Sequence, residues 1–401
     1  MKDIRQKKIN QCRVCLSEDL KTVLTLPKMP FTDQFVQKST IGKEFLGDIE
    51  IGICNCCGSV QNMNNTDMDD YYNDYTYTVQ SSSFAREFMR KFAENIKNRY
   101  LQGIPSPRVL EIGSGSGEQL YEFQKLGCDV LGIEPSEKLS DYANSIGVKT
   151  LTAFFDENTE LDSNSFDLII SSYTFDHVPQ PKSVLDNIRR ILKDTGFVAT
   201  EVHDLNLIKE RNEFCLFEHE HYIYLNHCTF KNLLDSTGFE LITYDLLEQS
   251  EKRANSLISI ARKKQGDKPY SFSLIENEVK EIESLSKNIY NSIDNFENWL
   301  KQHSDKVIVA YGAGGRGVMT IAALQNSDKL SYIVDKNPKA QDIYSPKSHI
   351  PIYPITKLKD DRADIIIIFS FGYYQEIVDE LVAEFGYKES QFISILDILN
   401  K

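Results

Sequence analysis

Apolar residues follow one rhythm in the middle of the chain and again near its end. From Arg108 to Lys263 short apolar runs (RVLEIG, DVLGIEP, FDLIISS, GFVATEV) alternate with stretches of helical period, the pattern of a parallel sheet with crossover helices. The same alternation returns in KVIVAYGAGGRG, KLSYIVDKNP and ADIIIIFS, which predicts a second α/β unit. Between the two lies SLIENEVKEIESLSKNIYNSIDNFENWLKQHSD, whose apolar residues recur at roughly helical intervals and predict a joining helix. The first 70 residues differ. They hold short alternating strands such as EFLGDIEIGIC, and then a polar, tyrosine-rich passage, MDDYYNDYTYTVQSSS, reads as an ordered loop or linker before a helix around Phe84–Tyr100. No solenoid period and no low-complexity tract is evident.

Composition narrows the class. The chain has 401 residues, enough for two or three domains, and 41% hydrophobic with 26% charged residues is ordinary for a folded chain. The formal charge of −14 has the wrong sign for wrapping a polyphosphate backbone, so nucleic acid is not an expected partner. No apolar run approaches the roughly 18–20 residues of a membrane helix, and MKDIRQKKINQC lacks the apolar region of a signal peptide. A cytoplasmic protein without membrane contact is expected.

Four of the eight cysteines form two C-x2-C pairs, Cys12 with Cys15 and Cys54 with Cys57. This is metal spacing, and four thiolates close a tetrahedral structural Zn2+ site with no open position. Cys56 could stand in for Cys54, and the bland alternative is a pair of reduced, buried cysteine turns. Cys128, Cys215 and Cys228 read as small buried hydrophobes.

Two glycine turns follow apolar strands. In VLEIGSGSG the loop Gly113, Gly115, Gly117 lets a ligand approach the backbone and the amides of the next helix. The following strand, DVLGIEP, ends in Glu134, where a carboxylate can accept both hydroxyls of a ribose. The order Glu111, glycines, Glu134, then FDLIISS looks like a class I S-adenosylmethionine (SAM) methyltransferase domain, with Phe154 of FFDE where an adenine-flanking turn is expected; a nicotinamide-binding domain is the competing reading. The second turn, Gly312-Ala313-Gly314-Gly315-Arg316-Gly317, is a G-x-G-x-x-G, and Asp335 ends the next strand. It would suit a dinucleotide or the diphosphate of a nucleotide-sugar, with Arg316 adding charge. The expected fold class is therefore α/β, two Rossmann-like domains preceded by a small zinc-binding domain, divided as 1–70, 71–265 and 266–401.

Between the glycine turns lies FEHEHYIYLN. In an extended segment His219 and His221 would face one side and Glu220 the other; a general base oriented by a neighbouring carboxylate is the favoured chemistry, and a solvated polar loop the alternative. His177, in SSYTFDHVP at the carboxyl end of an expected strand, is a second candidate because α/β sheets keep their crevice there, with a core or capping histidine as its alternative.

Taken together, CRVC with CNCCGSVQ, YTYTVQSSS, LEIGSGSG, DHVP, HEH and VDKNPKAQDIYSPKSHIPI resemble the sugar C-methyltransferases of deoxysugar biosynthesis, over nearly the whole chain. The resemblance implies methyl transfer from SAM to the carbon beside the carbonyl of a nucleotide-linked, usually dTDP, keto-sugar. It implies His221 as the base, Glu220 assisting it, and His177 with Tyr75 or Tyr77 steadying the enolate oxygen or the sugar. SAM would sit on Glu111, Gly113, Gly115, Gly117, Glu134, Phe154 and Tyr173. Substrate contacts would come from Glu218, His219, Tyr222, Tyr224, Gly312, Gly314, Arg316, Gly317 and Asp335, in a monomer. Three departures stand out: Glu218 where many members carry tyrosine, Phe175-Asp176 before His177 where a small residue is commoner, and FSFGYYQEI in place of a tryptophan-containing segment. Asp176 and Glu218 could recruit a cation or bind an amino or hydroxyl group on an altered sugar. O- or N-methyl transfer on a related nucleotide-sugar is the nearest alternative, a nicotinamide oxidoreductase a weaker one, and an RNA methyltransferase is opposed by the charge.

Overall fold

The computed structural model describes residues 5–32, 34–68, 83–266, 270–272, 275–336 and 342–401. Tyr75 and Tyr77 lie outside the described residues.

The central sheet has seven strands in the spatial order Thr150–Thr152, Asp129–Glu134, Arg108–Ile112, Phe166–Ser172, Leu192–Val202, Leu257–Lys263 and Phe239–Thr243. The first five pair in parallel, and Leu257–Lys263 runs antiparallel to both its neighbours. Val109, Leu110, Leu168, Ile169 and Ile170 are buried; these unbroken apolar runs are what a parallel sheet needs when helices cover both faces. Strand order reverses between Arg108–Ile112 and Phe166–Ser172, which opens a crevice at their carboxyl ends.

A second seven-stranded sheet is ordered Phe392–Ser394, Ile365–Ile368, Ile308–Tyr311, Leu330–Asp335, Pro351–Pro354, Ile343–Tyr344 and Val36–Gln37. Its last strand comes from the N-terminal region and pairs antiparallel with Ile343–Tyr344. A reverse loan occurs in the N-terminal four-stranded sheet of Leu20–Met29, Gly47–Cys54 and Val60–Asn62, whose fourth strand is Ile223–Tyr224. The chain therefore interlaces its parts, and the residues just after H-E-H are held by the N-terminal sheet through the pairs Ile223 with Gln61 and Tyr224 with Val60.

The joining helix forms over Ile275–Gln302. Its buried Ile282, Leu285, Ile289, Phe296 and Leu300 share one core with Leu24, Leu26, Ile49 and Ile51 of the N-terminal sheet and Ile308, Ile333 and Ile367 of the C-terminal sheet. Truncating one such side chain to alanine costs about 2–5 kcal/mol, so this stripe is a principal bond between the two sheets.

In the second glycine turn two positions require glycine: Gly312, whose φ is 112°, and Gly317, which has no room for a side chain. A Cβ there would lie 2.1 Å from the Gly312 carbonyl oxygen, whereas a Cβ at Gly314 meets nothing within 4 Å. The Gly317→Ala variant is therefore expected to lose about 1–3 kcal/mol or more of stability and Gly314→Ala very little; comparing their thermal unfolding midpoints checks this.

Candidate active site and metal centre

A cavity of about 1020 Å³ opens at the strand-order reversal and runs from the first glycine loop to the second. At one end Gly113, Gly115 and Gly117 have φ of 70°, 52° and 85°, the left-handed region that glycine enters without strain. A Cβ on Gly113 would sit 2.2 Å from Thr174 Oγ1. The Gly115 and Ser136 amides donate to Glu134 at 2.8 and 2.9 Å, which fixes that carboxylate at the end of its strand. Glu111 ends up buried with Oε2 lacking a hydrogen-bond partner among the described residues, and burial pushes its carboxyl well above the usual range. A ligand ammonium would satisfy that orphaned oxygen, so the cradle fits the amino-acid and ribose ends of SAM. Glu111, Gly113, Gly115, Glu134, Phe154 and Tyr173 line the cavity. Phe154 is 56% exposed on its wall, and Tyr173 donates through its hydroxyl to the Asn255 carbonyl at 2.6 Å. Gly117 instead packs toward Ala143 and Val148.

The H-E-H segment is not extended as expected. It turns at His219 and Glu220, and the two histidines part company. His219 donates from Nε2 to the Met29 carbonyl at 2.9 Å, accepts at Nδ1 from Gln6 at 3.3 Å, and packs edge-on against Phe31 and Phe45. Both ring nitrogens are occupied, so His219 is a strut. Glu220 and His221 both line the cavity. His221 donates from Nδ1 to the Leu216 carbonyl at 2.9 Å; a carbonyl can only accept, so the neutral ring carries its proton on Nδ1 and offers Nε2 as an acceptor. That Nε2 lies 3.9 Å from Glu218 Oε2.

Around His221 stand two more imidazoles, His177 and His203, with ring centroids at 4.7 and 5.0 Å. His203 donates from Nδ1 to Asp176 at 2.8 Å. Burial alone would raise Asp176, but this bond and the charges of the histidines override it and hold the carboxyl below the usual range. Burial, aided by His221, lowers His177 to about 4. His203 escaped the sequence reading, although it follows the strand Leu192–Val202 and the crevice argument that selected His177 selects it too. Asp176, His177 and His221 each present a ligand atom within 4.8 Å of the others, and His177 Nε2 lies 3.9 Å from Asp176 Oδ1.

At the far end Gly314, Gly315 and Arg316 line the cavity, with Arg211. Arg211 and Arg316 flank the Phe371 ring, at 5.7 and 5.1 Å from its centroid, and share the buried Glu213 at 3.4 and 3.8 Å. Other expected substrate contacts face elsewhere. Tyr222 donates to the Thr66 carbonyl, Tyr224 to the His221 carbonyl, and Asp335 accepts from the Ala313 amide, closing the glycine turn. Gly312 and Gly317 form the turn itself and do not line the cavity.

The four expected metal ligands converge. Cys12 and Cys57 sulfurs lie 3.6 Å apart, Cys15 and Cys54 3.5 Å, and all four fall within 4.8 Å of one another. Four thiolates about 2.3 Å from a zinc ion stand about 3.8 Å apart, so the set fits Zn2+. Cys56 is exposed and hydrogen-bonds Ser17 instead, which removes it as a substitute for Cys54.

Family models match three consecutive stretches: a zinc binding domain over residues 12–72, a methyltransferase domain over 84–244 and a C-methyltransferase C-terminal domain over 252–396. The chain is a SAM-dependent methyltransferase. The last stretch matches the model of a C-methyltransferase C-terminal domain, and SAM and Zn2+ are the cofactors. It is similar to the C-methyltransferase NovU of Streptomyces niveus, 23% identical over 94% of this chain and 93% of that one. A ubiquinone biosynthesis O-methyltransferase of Rhodopseudomonas palustris is 30% identical over 31% of this chain and 50% of its own length. Among solved structures, the PH0226 protein of Pyrococcus horikoshii aligns with 49% of this chain and 100% of its own at 16% identity, TM-score 0.41. Among the described residues no helix is long and apolar enough to cross a membrane.

Two expectations follow. Purified methyltransferase should carry about one equivalent of zinc, and Cys12→Ser or Cys57→Ser should lose metal and stability together, as metal analysis paired with thermal unfolding will show. Because the pKa of His177 is lowered on folding, the unfolded chain takes up that proton first and stability falls as pH drops from about 6.5 toward about 4. The decline should be shallower in His177→Asn, read from unfolding midpoints across that window.

Proposed function

We propose that this methyltransferase methylates the carbon beside the carbonyl of a nucleotide-linked keto-deoxysugar, through an enolate. The observation that carries this reading is His221: its Nδ1–H is tied to the Leu216 carbonyl, which leaves Nε2 as a base in the same cavity as the SAM loop and the second glycine turn. A carbon α to a ketone gains nucleophilicity only when a positioned base removes its proton. The NovU similarity, the C-methyltransferase C-terminal match and the motif resemblance support carbon as the acceptor.

The division of labour runs along the cavity. Glu111 would bind the amino group of SAM, Glu134 its ribose hydroxyls and Phe154 its adenine, with Tyr173 closing that end. When bound, SAM supplies an electrophilic methyl group on a sulfonium. His221 Nε2 takes the α-proton, and Glu220 beside it stabilises the imidazolium that results. His177, with Tyr75 or Tyr77, steadies the acceptor. Arg211, Arg316 and the amides opening the helix Gly315–Ala322 would hold the diphosphate, since unpaired helix amides and guanidinium groups both suit phosphate. Arg316 Nε lacks a hydrogen-bond partner among the described residues, as a phosphate-binding donor would before its ligand arrives. In this reading the enzyme acts in the cytoplasm as a monomer.

In deuterated water, His221→Ala should lower both deuterium entry at the α-carbon and methyl transfer by about 10²–10⁴-fold while SAM affinity stays within about twofold of wild type. Unchanged turnover would remove His221 from the reaction. Glu134→Ala should weaken SAM binding by about 10–100-fold, the value of a lost charge-assisted pair of hydrogen bonds, in a calorimetric titration.

A further inference from the structure

We infer that the Asp176–His203 pair reads the acceptor: His203 Nε2 accepts a hydrogen bond from a hydroxyl or amino group that the sugar ring carries close to the methylated carbon. The inference rests on the keto-sugar reading and adds a specificity-determining contact to it.

A histidine in a purely structural role satisfies both ring nitrogens within the protein, as His219 does with Met29 and Gln6. His203 satisfies one. Its Nδ1 donates to Asp176 Oδ2 at 2.8 Å, and its Nε2 has no hydrogen-bond partner among the described residues. Asp176 is 3% exposed, whereas the His203 side chain is 18% exposed and lines the cavity. With Nδ1 turned to the buried carboxylate, the opposite edge of the ring, which carries Nε2, is the one left to the cavity.

Both partners are pinned. His203 stands between the end of the strand Leu192–Val202 and Asp204, which caps the helix Leu205–Arg211 by accepting from the Asn206 amide and whose own amide donates to Asn255 Oδ1 at 2.7 Å. The Asp176 carbonyl accepts from the Tyr222 amide at 2.8 Å. A ring held in this way presents one nitrogen in one place, as discrimination between ligands requires.

The direction of the bond follows from the proton count. A carboxylate only accepts, so Nδ1 carries the ring proton and neutral His203 offers Nε2 as an acceptor. The groups around the ring favour that form. Burial opposes a second proton, Asp176 favours one, and His221 and Arg316 oppose it, with the balance lowering His203. Tyr173 lies against the ring, and burial raises its phenol, so it stays neutral. His177 Nε2 stands 3.9 Å from the other Asp176 oxygen.

Location selects the part of the acceptor that is read. The His203 ring lies 4.6 Å from that of Tyr173, at the SAM end, and 5.0 Å from that of His221. A sugar carbon that meets both the SAM methyl and His221 Nε2 therefore brings nearby substituents past His203. A hydroxyl or amino group there is bound; hydrogen in its place leaves the nitrogen unpaired, a loss that hydrogen-bonding sites convert into selectivity.

The test compares kcat/KM for methyl transfer to dTDP-4-keto-6-deoxyhexoses carrying hydroxyl, amino or hydrogen at carbon 2 or carbon 3. At one of these positions the wild type should prefer a donor over hydrogen by at least about 100-fold. The double variant Asp176→Ala with His203→Ala leaves no buried carboxylate without its donor, and its preference should shrink to about threefold or less with SAM binding intact. Asp176→Asn gives an independent readout. Its amide can donate to Nδ1, which moves the ring proton to Nε2 and turns the acceptor into a donor. The preference should then vanish, and the ring-nitrogen chemical shifts of His203 should report the new tautomer. A wild type indifferent at both positions, or a double variant that keeps the full preference, would overturn the inference alone. So would a loss of turnover equal for every acceptor, which would make the pair part of proton removal. A wild type that neither exchanges an α-proton nor methylates any of these sugars overturns the keto-sugar reading beneath it.

Discussion

Two backbone pairs, Ile223 with Gln61 and Tyr224 with Val60, carry more of this molecule than their number indicates. They splice the residues after H-E-H into the N-terminal sheet, and so decide where the turn at His219–Glu220 must fall. His219 is then driven between Phe31 and Phe45, while Glu220 and His221 swing toward the cavity. The Cys12, Cys15, Cys54 and Cys57 cluster grips the same sheet at Cys54, the end of the strand Gly47–Cys54, one neighbour away from Ile223–Tyr224. The zinc centre thus stiffens the platform on which the proposed base stands, the kind of rigid support that precise placement of a catalytic group demands.

The electrostatics of the cavity follow from burial more than from the total charge. Asp176, Glu218, Glu220 and His221 are buried, and the half-buried rings of His177 and His203 stand 4.7 and 5.0 Å from that of His221. In such a place each ionised form must be justified by a partner. Asp176 finds His203, and Glu220 accepts from the Thr32 hydroxyl. Burial lowers the pKa of both His177 and His203, so these two rings favour their neutral forms beside the place where a proton would leave carbon.

Much of this was legible beforehand because its signals are local. Strand and helix rhythms, the glycine turns and the C-x2-C pairs each encode geometry within a few residues, and the seven-stranded sheet and the four converging sulfurs follow from them. What could not be read depends on distant partners. An isolated FEHEHYIY has every reason to look extended, and only pairing with Val60–Gln61 imposes the turn that separates His219 from His221. The loan of Val36–Gln37 to the C-terminal sheet leaves no trace in a two-residue strand. Tyr222, Tyr224 and Asp335 were candidates for substrate by type and position, and their polar atoms serve the scaffold instead. His203 is the opposite case: the rule that finds it was already in use for His177.

The central claim is that the methyl group goes to carbon. Incubating the enzyme with SAM carrying a labelled methyl and a dTDP-4-keto-6-deoxyhexose in deuterated water, followed by NMR, tests it most directly. Deuterium should enter at the α-carbon, and a labelled methyl signal should couple to that ring carbon. A labelled methyl on oxygen or nitrogen, with no deuterium at the α-carbon, would contradict it.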